Sequence, residues 1–123
     1  MIALKDIRAQ LGELLETELG IVTTPVGAAL NPPCIVVAPA DPYMDMVTYC
    51  ADGINYEVFV CVGPGEDSAR VDALDDLIDG VRAALTKRTP DGLKFGYQGT
   101  DRPTFGTADF LGASVRVRYE RDV

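Results

Sequence analysis

NYEVFVCVGPGEDSARVDALDDLIDGVRAAL, residues Asn55–Leu85, is the stretch on which the fold turns. Tyr56, Val58, Phe59, Val60, Cys61 and Val62 form a run of β-branched and aromatic residues long enough for one strand. Gly63-Pro64-Gly65 stops it, and Asp67 or Ser68 is placed to cap a helix by accepting backbone N–H bonds. Val71, Leu74, Leu77, Ile78, Val81 and Leu85 then recur at three- and four-residue steps as one apolar stripe. A strand apolar on both faces beside such a helix predicts the centre of a core.

Working outward toward the N-terminus, Tyr43–Ala51 and Ile54–Val62 flank Asp52-Gly53, a pair that favours a type I′ hairpin turn. A turn there sets Tyr49 opposite Tyr56 and Val47 opposite Val58. Cys34–Ala38 reads as a central strand, ended by Pro39 and Pro42. Ile21–Thr24 suits a short edge strand. Ala3–Leu19 reads as the first helix, with Leu4, Ile7, Leu11, Leu14, Leu15 and Leu19 on one face and Gly20 as its C-cap. Gly12 inside it lowers helix stability by about 1 kcal/mol relative to Ala, which suits a site of close packing.

Toward the C-terminus, Thr86–Gly92 is a polar turn, Leu93–Tyr97 a further strand, and Gln98–Gly106 irregular; Thr107–Leu111 carries no clear pattern. In the last segment Val115, Val117 and Tyr119 alternate with Ser114, Arg116, Arg118 and Glu120, giving a strand with one dry and one wet face. The expected architecture is one α+β domain over residues 1–123: a mainly antiparallel sheet, two helices packed on one face, and a long β-hairpin.

Composition narrows the function. The chain has no histidine, which excludes Ser–His–Asp and Cys–His catalysis and histidine metal sites. A net charge of −8 opposes nucleic-acid binding through phosphate contacts but suits a surface past which DNA slides. No apolar run is long enough to span a membrane. The N-terminus is patterned as an amphipathic helix rather than a signal peptide, so a cytosolic protein is expected. Cys34, Cys50 and Cys61 are widely spaced with no CxxC, which argues against a disulfide framework or zinc site and for reduced, buried thiols.

Four features invite a functional reading. The turn Gly63–Ser68 sits where a phosphate loop would, but its third glycine is replaced by Ser68 and Glu66 and Asp67 repel anions; a tight turn before a helix accounts for it. Asp72, Asp75, Asp76 and Asp79 recur at helical spacing, offset only by Arg70 and Arg82. They make either a solvated face or an acidic surface lining a channel or meeting a basic partner; a straight helix does not suit calcium. Arg116, Arg118 and Arg121, read on the wet side of the last strand, pair either with an acid of the same chain such as Glu57 or with a neighbouring subunit. Tyr43, Met44, Met46 and Tyr49 are either core or an exposed arm that inserts into another subunit.

The succession of elements resembles the tail terminator proteins of long-tailed bacteriophages, especially those of actinobacteria. The likeness runs almost end to end: the helix Leu4–Leu19, the lead-in Asn31-Pro32-Pro33-Cys34-Ile35-Val36-Val37, the strand Tyr56–Val62, the turn and helix Gly63–Leu85, and the closing Phe110-Leu111-Gly112-Ala113-Ser114-Val115-Arg116-Val117. The resemblance implies a non-enzymatic virion protein without cofactor or metal, first in the host cytoplasm and then in the tail. It implies a homo-oligomeric ring, typically a hexamer, that caps the tail tube protein, stops its polymerisation and presents a surface to the head–neck connector. DNA passes through the lumen without specific binding. The alternatives are another neck or tail-completion protein, a small anion-binding regulatory domain using Gly63–Ser68, or an enzyme using Asp or Glu as general acid or base.

Overall fold

The computed structural model describes residues 1–101, 103–107 and 110–122, those of 104–107 by their backbone. The order is α1 (Leu4–Leu19), β1 (Cys34–Thr48), β2 (Ala51–Val62), α2 (Asp67–Ala84), β3 (Gly96–Thr100), β4 (Thr104–Thr107) and β5 (Phe110–Asp122). All strand pairs are antiparallel, the order across the sheet is β1-β2-β5-β3, and β4 also pairs with β5. This is the α+β arrangement expected, with the long β1–β2 hairpin as its largest feature. Residues 102, 108 and 109 fall outside the described residues, so the readings of 98–106 and 107–111 are met only in part.

Period-two alternation decides which face is dry. Ile54, Tyr56, Val58, Val60 and Val62 of β2 lie in register with Tyr119, Val117, Val115, Ala113 and Leu111 of β5, and Ile35 and Val37 of β1 join them. Apart from half-buried Tyr119, these side chains are buried in one cluster with Ile7, Leu11, Leu14 and Leu15 of α1 and Leu74, Leu77 and Val81 of α2. Both helices therefore cover the same face of the sheet. The α2 stripe is narrower than its periodicity suggests: Val71 is exposed and Ile78 only half-buried.

Helix ends follow local chemistry unevenly. Gly20 closes α1 in the left-handed region, φ 69°, and its N–H donates to the Glu16 carbonyl. The N-cap of α2 is Glu66, with no side-chain capping bond, so neither Asp67 nor Ser68 serves as expected. Asp67 instead pairs with Arg70 one turn along the helix. The segment after α1 is tied down by Glu16, whose Oε1 accepts from the Thr23 hydroxyl at 2.7 Å and the Thr23 N–H at 2.9 Å. These bonds, the hydroxyl's first, favour the carboxylate and lower its pKa. Thr23 forms a single parallel bridge to Ile35, so the expected strand at 21–24 is reduced to one point of pairing.

Gly12 lies buried under that segment, but a methyl group added to it would meet Thr23 Oγ1 at 3.7 Å, an ordinary contact. Gly12→Ala is therefore expected to stabilise the fold by about 0.8–1 kcal/mol, the helix-propensity difference, read as a higher urea midpoint at unchanged slope. A fall in the midpoint would show that the loop cannot accept the methyl.

Three readings of the strands need correction. Cys34–Ala38 is not a central strand: it begins the edge strand β1, which continues through Pro39 and Pro42 to Thr48. An edge strand tolerates proline because its outward N–H groups need no ladder partner, and the register breaks between Pro39 and Met44. The hairpin turn is Tyr49-Cys50, with Thr48 opposite Ala51, and not Asp52-Gly53. Tyr56 consequently faces Pro39 rather than Tyr49, and Val58 faces Val37 rather than Val47. The strand expected at Leu93–Tyr97 is shifted to Gly96–Thr100, because Phe95 turns into the core before pairing with β5 begins.

Candidate functional site

Moving the turn to Tyr49-Cys50 makes the hairpin end an arm with an unusual surface. Thr48 Oγ1 accepts the Cys50 N–H at 3.2 Å and closes the tip. Tyr49 is 96% exposed, Met46 70%, Val47 39% and Met44 38%, so four apolar side chains stand together on one short stretch at the end of an edge strand and its turn. Tyr43 behaves differently. It packs edge-on against buried Tyr56, ring centroids 5.8 Å apart at 73°, and lies half-buried against the core. The cluster Tyr43, Met44, Met46 and Tyr49 thus divides into one inward residue and three outward ones, which Val47 joins.

What holds the arm to the sheet is polar and lies on the wet face. Arg118 of β5 reaches across β2 to Asp45 of β1 in a bidentate pair, Nη2 to Oδ1 and Nη1 to Oδ2, both at 2.7 Å. Nη1 also donates to Asn55 Oδ1 at 3.0 Å, and Asn55 Nδ2 donates to Asp45 Oδ2 at 3.0 Å and to the Pro42 carbonyl at 3.1 Å. Three strands are stitched by one guanidinium. Gly53 makes the crossing possible: a Cβ there would lie 2.1 Å from Arg118 Nη2 and 2.5 Å from Asp45 Oδ1. The glycine that resembles a turn residue is needed as open space in mid-strand.

The bond from Arg118, and then that from Asn55, hold Asp45 down to a pKa of about 2, and the bond to Asp45 raises that of Arg118. A carboxyl whose folded pKa is depressed contributes stability above its unfolded value, near 3.8, and loses it as pH falls toward 2. Stability is therefore expected to decline between about pH 4 and pH 2, with a shallower decline in Asp45→Asn. Equal slopes in urea titrations of the two proteins would show that the clamp contributes nothing.

The remaining candidates are placed as follows. Arg116 stands opposite Glu57 in register, yet its ion pair is with Asp101 at 3.7 Å, both side chains 53% exposed. Arg121 is not on the wet side. Alternation turns it to the helix side, where it is 7% exposed, donating to Asp52 Oδ2 at 2.8 Å and the Ile2 carbonyl at 3.2 Å. It ties the N-terminus to the hairpin end, where Asp52 stands opposite Met46. Asp72, Asp75, Asp76 and Asp79 are all exposed along the outer side of α2. The cations of that helix are turned elsewhere, Arg70 to Asp67 and Arg82 over the Tyr97 ring at 4.7 Å. The structure does not bring this acidic row together with the arm's residues. Of Gly63–Ser68, Gly63–Glu66 link β2 to α2 and Asp67 and Ser68 are already the helix's first residues, with the Arg70 N–H bonded to the Glu66 carbonyl at 2.9 Å.

Asp45, Asn55 and Val47 were not singled out by sequence reasoning. The signal for the first two was present, a polar residue on each strand, but the assumed turn put Asp45 out of reach of Arg118. No helix among the described residues is long and apolar enough to cross a membrane. No protein-family model matches this chain, and no curated protein is similar to it in sequence.

Proposed function

We propose that the chain is a structural ring subunit of the tail terminator type, non-enzymatic, capping a phage tail tube and presenting a surface to the head–neck connector. The observation that carries this reading is the arm: Met44, Met46 and Val47 on an edge strand and Tyr49 on its turn, exposed together, with the strand clamped in place by Arg118. Exposed apolar strand surface of this kind is a liability in a monomer and an asset in an assembly. A rigid arm on one side of a subunit favours heterologous contacts, which close into rings when the rotation is right.

Charge supports the same reading. A net −8, with the row Asp72–Asp79 exposed, leaves little surface to which DNA would adhere in a lumen. The acidic row faces either that lumen or a basic partner.

The test is electron microscopy of the protein alone at high concentration and mixed with its tail tube protein. Rings with a central hole wide enough for duplex DNA, or tubes capped at one end, are the expected result. Tubes that continue to grow uncapped in the mixture, from a protein that remains monomeric, would overturn the reading.

A further inference from the structure

Cys34 and Cys61 stand directly opposite each other at the start of β1 and the end of β2. Directly opposed residues of an antiparallel pair have Cα atoms about 4.5 or 5.5 Å apart, according to the hydrogen-bonding position, and both values fall within the range of about 4.4–6.8 Å that a disulfide spans. Both thiols are free and buried, 2% and 0% exposed. The third thiol, Cys50, is exposed at the arm's tip and has no cysteine opposite.

We propose that Cys34 and Cys61 are a redox-closable staple, forming an intramolecular disulfide that pins the edge strand β1 to the central strand β2. The oxidant class is a low-molecular-weight disulfide. One cysteine loses its proton and its thiolate attacks a sulfur of the small disulfide, releasing one small thiolate. The second cysteine, likewise deprotonated, attacks the resulting mixed disulfide at the protein sulfur and releases the other. One protein S–S bond forms, two electrons reduce the small disulfide, and its two thiolates take up the two protons.

Burial makes closure slow rather than impossible. Cys34 is the first residue of an edge strand, so its exposure requires only local opening of that strand's start. Burial together with the neighbouring Cys34 raises Cys61 to about 11, so little thiolate exists at neutral pH and closure accelerates with alkalinity. The bond closes a loop that contains the whole hairpin, which removes conformational freedom from the unfolded chain. Resting on the ring reading for this clause alone, the thiols stay reduced during assembly in a cytoplasm and close in the released particle.

The experiment uses the Cys50→Ser protein, folded, incubated with oxidised glutathione at mildly alkaline pH. Thiols titrated after denaturation are expected to fall from two to none, with the chain still of single-chain size on a non-reducing gel. The melting temperature is expected to rise by on the order of 10 °C and to return on reduction. Adding Cys34→Ala to this background should abolish the rise. Thiols that persist in the folded protein under conditions that close them in the unfolded chain would overturn the proposal, as would arrest at the glutathione adduct or a closed form that melts lower. Each readout is made on the free chain, so neither outcome bears on ring formation.

Discussion

Replacing Met46 and Tyr49 together by serine is expected to abolish ring formation and tube capping while leaving the subunit folded. The monomer has little to lose, because these side chains are 70% and 96% exposed, and substitutions at such sites change stability by less than about 0.5 kcal/mol. An interface has much to lose. Truncating a buried aromatic or long apolar anchor costs about 2–4 kcal/mol, or roughly 30- to 1000-fold in the affinity of one contact. Sedimentation velocity and electron microscopy read the assembly, and circular dichroism reads the fold. Rings that survive the double substitution would remove the arm from the interface. Tyr43→Ser provides the contrast. It withdraws a ring from the face of Tyr56 and is expected to lower stability by about 2 kcal/mol, a loss any effect on assembly would follow.

Arg121→Ala is expected to be the most damaging single polar change, destabilising the fold by about 2–3 kcal/mol in urea unfolding. It leaves Asp52, only 26% exposed, without its cation, and frees the Ile2 carbonyl at the N-terminus of α1. The figure lies below that for a fully buried pair because water still reaches Asp52. Arg121 Nε is itself buried without a partner among the described residues, so the native pair carries a desolvation cost of its own. Replacing both members, Asp52→Leu with Arg121→Met, is therefore expected to restore most of the stability lost in the single variant. A double variant no more stable than Arg121→Ala would show that the guanidinium's tie to Ile2, not its charge, is what matters.

The two changes separate what the arm does from what holds it. Its outer residues contribute little to the free subunit. Its anchorage, through Arg118 on one face and Arg121 on the other, is intramolecular and polar. An arm held on both faces loses less conformational freedom on docking than a loose one, which is the advantage of preorganisation in any assembly.

Much of this was legible in the chain itself. The two amphipathic periods, the all-apolar run through Val58 to Val62, and the alternation from Ser114 to Glu120 determine two helices and at least two inner strands, because burial of one face is a local property of spacing. From these the α+β class follows without reference to any contact. Register was decided elsewhere. Asp52-Gly53 has the chemistry of a turn, but a turn there would leave Ile54 at a hairpin end; shifting it to Tyr49-Cys50 buries Ile54 and pairs Ala51–Ile54 with both neighbours. Gly53 then serves the Arg118 crossing, a requirement set by a residue of a strand distant in the chain. The same shift brings Asp45 under Arg118, turns Tyr43 inward, leaves Met46 and Tyr49 in water, and sets Cys34 beside Cys61. Local propensity names the elements; which residues face one another is settled by the burial gained across the whole sheet, and the candidate site is made of such pairings.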